Sequence, residues 1–227
     1  MMTNVSISIG RAGETGFLMS HEFGKMRRMM AELDELQAEL ANTHIRSAAI
    51  VTANSVRAGY TLPDFTLLDE AGEPTKLSEV AANSFAVLVF YRGAWSLPCA
   101  EALTRYQHEL LPELAASGVR LIGISPQTPE GSAYTRFLNS LEFPLLSDLD
   151  NVVARALGIG SHTDQAFMDA IELGGYAIGN RNAEGEWELP IPTTLIIDRS
   201  RTVRFIDVRI DDMPRTDPND ILAELRS

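Results

Sequence analysis

The order of apolar and polar positions predicts alternating buried strands and amphipathic helices from about residue 60 onward. Residues 85–90 are all apolar, too few for an ordinary helix and too apolar for an exposed strand, so they predict a strand buried on both faces. From Leu97 apolar residues recur at spacings of three and four, which predicts a helix that ends near Gly118. A second buried strand is predicted over residues 119–125.

The next helix is predicted to begin within residues 126–130, where two prolines suit a first helical turn. Its expected apolar face comprises Tyr134, Phe137, Leu138 and Leu141. Residues 198–202 predict a hairpin turn. Strands that alternate with helices favour a mainly parallel core with right-handed connections.

The N-terminal part of the chain predicts a separate element. Residues 1–18 have little periodicity, whereas residues 21–57 have a helical stripe of Phe23, Met26, Met30, Leu33, Leu36 and Leu40. We therefore expect an N-terminal arm and amphipathic helix over residues 1–58 and one α/β domain over 59–227. The stripe is surplus apolar surface for that domain, so we expect it to help form a homodimer.

Composition limits the possible functions. The 31 acidic and 19 basic residues give a net charge of −12, which opposes binding to nucleic acid or to anionic membranes. Residues 1–10 do not resemble a secretory signal, and no segment approaches the ~18 apolar residues of a membrane span, so we expect a cytoplasmic location. The chain has one cysteine, which excludes an intramolecular disulfide and a cage of several thiolates. We expect neither a metal nor another cofactor.

That cysteine, Cys99, is predicted to lie in the first turn of a helix, directly after a buried strand and a turn. A lone cysteine usually packs as a small hydrophobic residue. A helix N-terminus, however, favours negative charge and is one of the few places that make a thiol reactive as its thiolate. The combination of strand, turn and helix start favours the reactive interpretation.

The residues around Cys99 resemble the peroxidatic loop of the peroxiredoxins, the alkyl hydroperoxide reductase and thiol-specific antioxidant family. Phe90 and Tyr91, followed by Ser96-x-x-Cys99, match the family pattern Phe-Tyr-Pro-x-x-x-Thr/Ser-x-x-Cys, except that Arg92 replaces the proline. The resemblance implies that Cys99 is the peroxidatic cysteine and Ser96 its hydroxyl partner. The order Trp95, Ser96, Cys99 is also similar to the thioredoxin-like Trp-Cys-x-x-Cys motif, with serine in place of the attacking cysteine.

Other segments carry the same resemblance. They are the Pro-Asp-Phe-Thr-Leu opening at 63–67, the Phe-Pro-Leu-Leu-Ser-Asp segment at 143–148 and the run 190–198. The resemblance implies a thioredoxin-like fold, a central mixed sheet flanked by helices, in which the Ile191–Pro192 bond is cis and Pro192 faces Cys99. Family members have an arginine near this proline that assists peroxide binding. Since none is found there, Arg92 is the nearest substitute along the chain.

The resemblance implies a thiol-dependent antioxidant enzyme that reduces hydroperoxides. With no second cysteine, Cys99 would need an external thiol of the thioredoxin, glutaredoxin or glutathione type as its resolving reductant. Two alternatives remain at this point. One is a thiol-disulfide oxidoreductase whose first active-site cysteine is replaced by Ser96, whether natural or introduced. The other is a non-catalytic thioredoxin-fold module, in which Cys99 would have ordinary thiol reactivity.

Overall fold

The computed structural model describes residues 55–93, 95–162, 188–209 and 214–227, and a mixed β-sheet forms their centre. Its strands in chain order are β1 (Thr66–Leu68), β2 (Pro74–Lys76), β3 (Ala86–Phe90), β4 (Arg120–Ser125), β5 (Leu145–Ser147), β8 (Thr193–Ile197) and β9 (Val203–Val208). A separate pair consists of β6 (Gly160–His162) and β7 (Glu188–Pro190). Both predicted buried strands, β3 and β4, are therefore confirmed.

The strand order in the main sheet is β2-β1-β5-β4-β3-β8-β9. The central pairs β3–β4 and β4–β5 are parallel, and the other pairs are antiparallel. Parallel pairing requires the connecting segments to cross the faces of the sheet, so helices cover it. The mixed sheet with flanking helices confirms the expected thioredoxin-like architecture.

The helices that surround the sheet are short. They are α1 (Leu77–Val80), α2 (Leu97–Arg105), α3 (Leu111–Ala116), α4 (Pro129–Leu138), α5 (Val152–Ala156) and α6 (Pro218–Leu225). A 3₁₀ turn, Leu149–Asn151, precedes α5. Gly118 has a φ of +68° just after α3, as expected for the residue that ends a helix.

Strand β3 separates two apolar clusters. Successive side chains of a strand point to opposite faces, so Leu88 and Phe90 pack with residues of β4, β5 and β8, whereas Val87 and Val89 pack with the helix that carries Cys99. Phe90 and Val87 are 1% and 0% exposed. The end of β3 is therefore fixed from both sides, and it provides a rigid support for the turn that leads to Cys99.

The single helix predicted from Leu97 to near Gly118 is interrupted. Between α2 and α3 lies one π-helical turn, Tyr106–Leu110, in which the N–H of Leu111 donates to the carbonyl of Tyr106. Pro112 follows at once and has no N–H to give the carbonyl of His108. The missing donor explains why the regular bonding pattern changes here.

The predicted apolar face of α4 is wrong for three of its four residues; the fourth, Leu141, is buried but lies beyond the end of the helix. Tyr134, Phe137 and Leu138 are 42%, 82% and 58% exposed, whereas Ser132 and Thr135 are fully buried. The hydroxyl of Ser132 hydrogen-bonds that of Ser147 at 3.0 Å, and the hydroxyl of Thr135 donates to Gln127 Oε1 at 2.9 Å. Helix α4 therefore packs on the sheet through small polar groups that satisfy one another, and it presents large apolar groups outward.

The predicted cis bond at Pro192 is also wrong, because the Ile191–Pro192 peptide is trans. The chain stays extended from β7 into β8, and the flanking backbone groups are already paired. Ile191 N–H donates to Ile159 O and Arg209 N–H donates to Pro192 O, both at 2.8 Å. Since trans is the more stable state of an X–Pro bond by ~0.5–1 kcal/mol, nothing in this backbone pairing favours cis.

The predicted N-terminal helix and its stripe lie outside the described residues, apart from residues 55–57. The boundary near residue 58 therefore stays a prediction. In the ranges that the structure describes, no helix is both long enough and apolar enough to cross a membrane.

Candidate active site

Cys99 lies in the first turn of α2, as the sequence predicts. Ser96 is the N-cap residue, with φ −84° and ψ 101°, and its carbonyl accepts from the N–H groups of Cys99 at 3.0 Å and Ala100 at 2.9 Å. Pro98 lies within the first turn, where N–H groups make no hydrogen bond within the helix, so the N–H that proline lacks is not needed. Cys99 is 2% exposed and is a free thiol.

An arginine from the C-terminal region contacts this thiol. Nη2 of Arg215 donates to Cys99 Sγ at 3.7 Å, although the two residues are 116 positions apart. A guanidinium group keeps its charge at any physiological pH, so it favours a negative sulfur beside it. Arg215 and the N-terminal end of α2 therefore both place positive potential at the sulfur atom.

A small cavity opens at the sulfur. Val89, Phe90 and Leu103 line its apolar side, and Thr193, Thr194, Arg209 and Arg215 line its polar side. Measured as the space open to the centre of a water-sized sphere, its volume is about 10 Å³. That is close to the minimum that holds one water molecule, so a larger molecule enters only if side chains move.

The polar groups around the cavity have defined charge states. Arg209 is paired with Asp207, whose Oδ2 lies 2.6 Å from Nε, so part of its charge is balanced. Burial raises the pKa of Tyr91 and that of Tyr106, and in Tyr106 hydrogen bonds and the charge of Arg215 oppose this effect only in part. Both phenols are therefore neutral at physiological pH and can donate a hydrogen bond.

The structure brings some of the predicted site residues to the cavity and not others. Pro192 lines the cavity beside Cys99, and Ser96 is buried at the helix start, 7% exposed, with no side-chain cap bond. Arg92 and Trp95 are not among the cavity-lining residues. Arg92 is buried in the turn between β3 and α2.

The same turn has little room for side chains. Gly93 has a φ of +141°, and a Cβ atom there would lie 2.7 Å from Nε1 of Trp95. The indole therefore covers the backbone of the turn, and only glycine fits beneath it. Trp95 thus supports the segment that leads to Cys99 without facing the cavity.

The sequence reasoning missed Arg215. Residues 210–217 have no strand or helix periodicity, and nothing local marks the arginine as a ligand of a distant thiol. Thr216, next to it, was missed for the same reason. The pairing of β8 with β3 and of β9 with β8 returns the chain toward the first turn of α2, where Arg215 meets Cys99.

The chain is similar to known proteins over most of the described domain. The family model described as AhpC/TSA family matches residues 58–206. A putative peroxiredoxin of Mycobacterium tuberculosis is 30% identical over 104 residues, which cover 46% of this chain and 67% of the relative. Thiol-disulfide oxidoreductase ResA of Geobacillus kaustophilus is 26% identical over 155 residues, which cover 67% of this chain and 70% of the relative.

A solved structure has the same architecture. The crystal structure of peroxidoxin BcpB from Mycobacterium tuberculosis is 26% identical to this chain. It superposes with a TM-score of 0.59 and covers 75% of this chain and 97% of the other. Nearly the whole of that structure therefore has a counterpart in this chain.

Proposed function

Because this chain belongs to the AhpC/TSA family, we propose that it reduces hydroperoxides through Cys99 and is returned to its thiol form by an external reductant. Its similarity to these relatives identifies it as a peroxiredoxin-like, thiol-dependent oxidoreductase. The observation that carries the specific proposal is the contact between Arg215 Nη2 and Cys99 Sγ, at the start of a helix and beside a small cavity.

The proposed first step is the attack of the Cys99 thiolate on one peroxide oxygen. A sulfur–oxygen bond forms and the O–O bond breaks; sulfur loses two electrons and the peroxide is reduced to water or an alcohol. The leaving oxygen gains negative charge and must take a proton from solvent. Donors that are already aimed at this charge lower the barrier, and we assign this role to the guanidinium of Arg215 because it contacts the attacking sulfur.

The second step regenerates the thiol. Cys99 is the only cysteine of the 227 residues, so its sulfenic acid has no partner in the same chain. An external thiol condenses with the sulfenic acid, releasing water and leaving a mixed disulfide, and a second thiol releases Cys99. Thioredoxin, glutaredoxin and glutathione have the required chemistry.

Ser96 has a secondary role in this proposal. Its carbonyl already accepts two N–H groups of the helix start, while its buried hydroxyl makes no cap bond. That hydroxyl is available to the sulfur or to the peroxide. Trp95 and Arg92 shape the turn, and Pro192 closes one side of the cavity.

Peroxide consumption in the presence of a reductant tests the proposal. We expect the full chain to consume hydrogen peroxide with glutathione, or with a thioredoxin system, as the electron source. The Cys99→Ser variant keeps the size of the side chain and removes the nucleophile, so it serves as the matched control. Equal consumption by both proteins would contradict the proposal.

A second candidate function is thiol-disulfide exchange. It is favoured by the order Trp95, Ser96, Cys99 and by the similarity to ResA, named a thiol-disulfide oxidoreductase. A Ser96→Cys variant distinguishes the two functions. If it gains disulfide reductase activity and loses peroxide consumption, the site is built for exchange. If the original chain shows neither activity and Cys99 reacts like a free thiol, it is the non-catalytic module.

We further propose that the protein is a homodimer formed partly through residues 21–57. Six large apolar side chains are predicted on one face of that segment, more than a soluble chain leaves exposed. Light scattering on the full chain, and on a version starting at Tyr60, tests this. A monomeric full chain would contradict it. A dimer that survives the truncation would place the interface on the core, where Phe137 and Leu138 are exposed.

We also propose a cytoplasmic location. A single-cysteine peroxidase depends on an external supply of reducing thiols, and the cytosol maintains such a supply. Fractionation of the source cells tests this. Recovery of the protein in an oxidising compartment would contradict the location and would favour an exchange function.

A further inference from the structure

Arg215 belongs to an irregular segment, residues 214–217, that precedes α6. An arginine on such a segment has no helix or strand of its own to fix its position. Its long side chain has many rotamers, and holding one of them costs free energy. The contact with Cys99 therefore depends on whatever holds the backbone of this segment.

The residue after Arg215 is bound on two sides. The hydroxyl of Tyr106 donates to the carbonyl of Thr216 at 2.7 Å, and the hydroxyl of Thr216 donates to that of Thr194, on β8, at 2.9 Å. All three residues are at least 97% buried. The backbone beside Arg215 is thus joined to the central sheet and to the helical segment that carries Cys99 in its first turn.

Tyr106 comes from the π-helical turn that continues α2, in the same cavity wall as Leu103. Burial raises the pKa of its phenol, so the group keeps the proton that it donates. One continuous helical segment therefore carries both the nucleophile, at its first turn, and the hydroxyl that anchors the partner of that nucleophile. Turns of the π type are often found at functional sites.

From this geometry, and on the basis of the proposed function, we propose that Tyr106 is a positioning residue: through the carbonyl of Thr216 it holds Arg215 in contact with Cys99. A residue that serves only to fill the core would need its ring but not its hydroxyl. The Tyr106→Phe variant separates these roles, because it keeps the ring and removes the donor.

Arg105 provides a matched control. It also joins α2 to this segment, through a 3.0 Å ion pair between its Nη2 and Asp217, but both side chains are about 40% exposed. Exposed pairs of this kind contribute little to stability. Arg105→Gln therefore removes a contact to the same segment without removing a buried anchor, and we expect its rate to stay within about twofold of the original.

The experiment measures the second-order rate of Cys99 oxidation by hydrogen peroxide, and of Cys99 alkylation by iodoacetamide, across pH 4–10. We expect Tyr106→Phe to oxidise about 3- to 10-fold more slowly, the range expected from losing one buried hydrogen bond. We also expect its alkylation profile to move to higher pH, because a less fixed guanidinium stabilises the thiolate less. Circular dichroism verifies that each variant is folded.

The decisive comparison uses Arg215→Gln as a background. If Tyr106 acts through Arg215, adding Tyr106→Phe to Arg215→Gln causes no further loss of rate and no further shift of the alkylation profile. An equal additional loss in that background would overturn the proposal, as would a Tyr106→Phe protein with unchanged rate and profile. If the original chain itself reacts with peroxide only as a free thiol does, the proposed function fails, while the alkylation profiles still test the positioning role.

Discussion

Replacement of Arg215 by glutamine is expected to slow the oxidation of Cys99 severely. Nη2 of Arg215 lies 3.7 Å from the sulfur. Two unit charges at that distance attract by ~4.5 kcal/mol at an effective dielectric constant near 20. The cavity is open to solvent, which screens this attraction, and hydrogen bonds to charged groups are worth ~1.5–3 kcal/mol in proteins. That smaller range corresponds to a rate ~10- to 150-fold lower.

Three variants separate charge from shape. Arg215→Gln keeps a donor and removes the charge, whereas Arg215→Lys keeps the charge and removes the planar fork, so we expect an intermediate rate for lysine. Arg226→Gln is the charge-matched control, because Arg226 is exposed and pairs only loosely with Glu113, at 3.8 Å. Its rate is expected to equal that of the original protein.

The assay is rapid mixing of reduced protein with hydrogen peroxide, followed by an acid quench and intact-mass analysis. Rates are compared at several pH values, so that the effect of the charge is not judged from a single condition. If Arg215→Gln oxidises within twofold of the original protein at all pH values, the guanidinium does not assist the reaction. The site would then need a different source of activation.

Three further predictions concern stability. Although burial opposes it, hydrogen bonds from the Thr202 N–H and the Arg204 side chain hold the pKa of Asp198 below its usual 3.8. The ionised Asp198 therefore stabilises the fold fully above about pH 4, and this stabilisation is lost as the pH falls through the lowered pKa. Urea unfolding at pH 6 and at pH 3 measures the effect. We expect the free energy of unfolding to fall less between these pH values for Asp198→Asn than for the original chain. Leu110→Ala empties a fully buried position and is expected to cost ~2–5 kcal/mol in the same assay; a cost under ~1 kcal/mol would mean that the core there is not tightly packed. Phe137→Ser alters a side chain that is 82% exposed, so the free energy of unfolding is expected to stay within ~0.5 kcal/mol, and a larger loss would show that a partner surface covers it.

The sequence was sufficient to predict the elements that depend on local pattern. The six apolar residues before the turn identified β3, and the strand–turn–helix order placed Cys99 in the first turn of α2. These predictions succeed because a doubly buried strand and a helix start have strong compositional requirements. The family resemblance then supplied the fold class, a central mixed sheet flanked by helices.

The predictions that failed depend on tertiary context. Helical periodicity identifies an apolar face but not what it packs on, and the buried side of α4 is polar because Ser132 and Thr135 meet hydroxyl and amide partners beneath it. The cis bond was inferred from resemblance alone, and the local backbone pairing of Pro192 is satisfied by the trans form. Arg215 reaches Cys99 across 116 positions, a distance that no local pattern encodes.

The most direct test of the account is the rate at which peroxide oxidises Cys99 in the folded chain, compared with the same chain unfolded in urea. The unfolded chain has the same single thiol without the helix start, the cavity or the Arg215 contact. We predict one added oxygen on Cys99, at a rate about two orders of magnitude or more above that of the unfolded chain. Equal rates in the two states would contradict the claim that this fold builds a peroxide-reducing site.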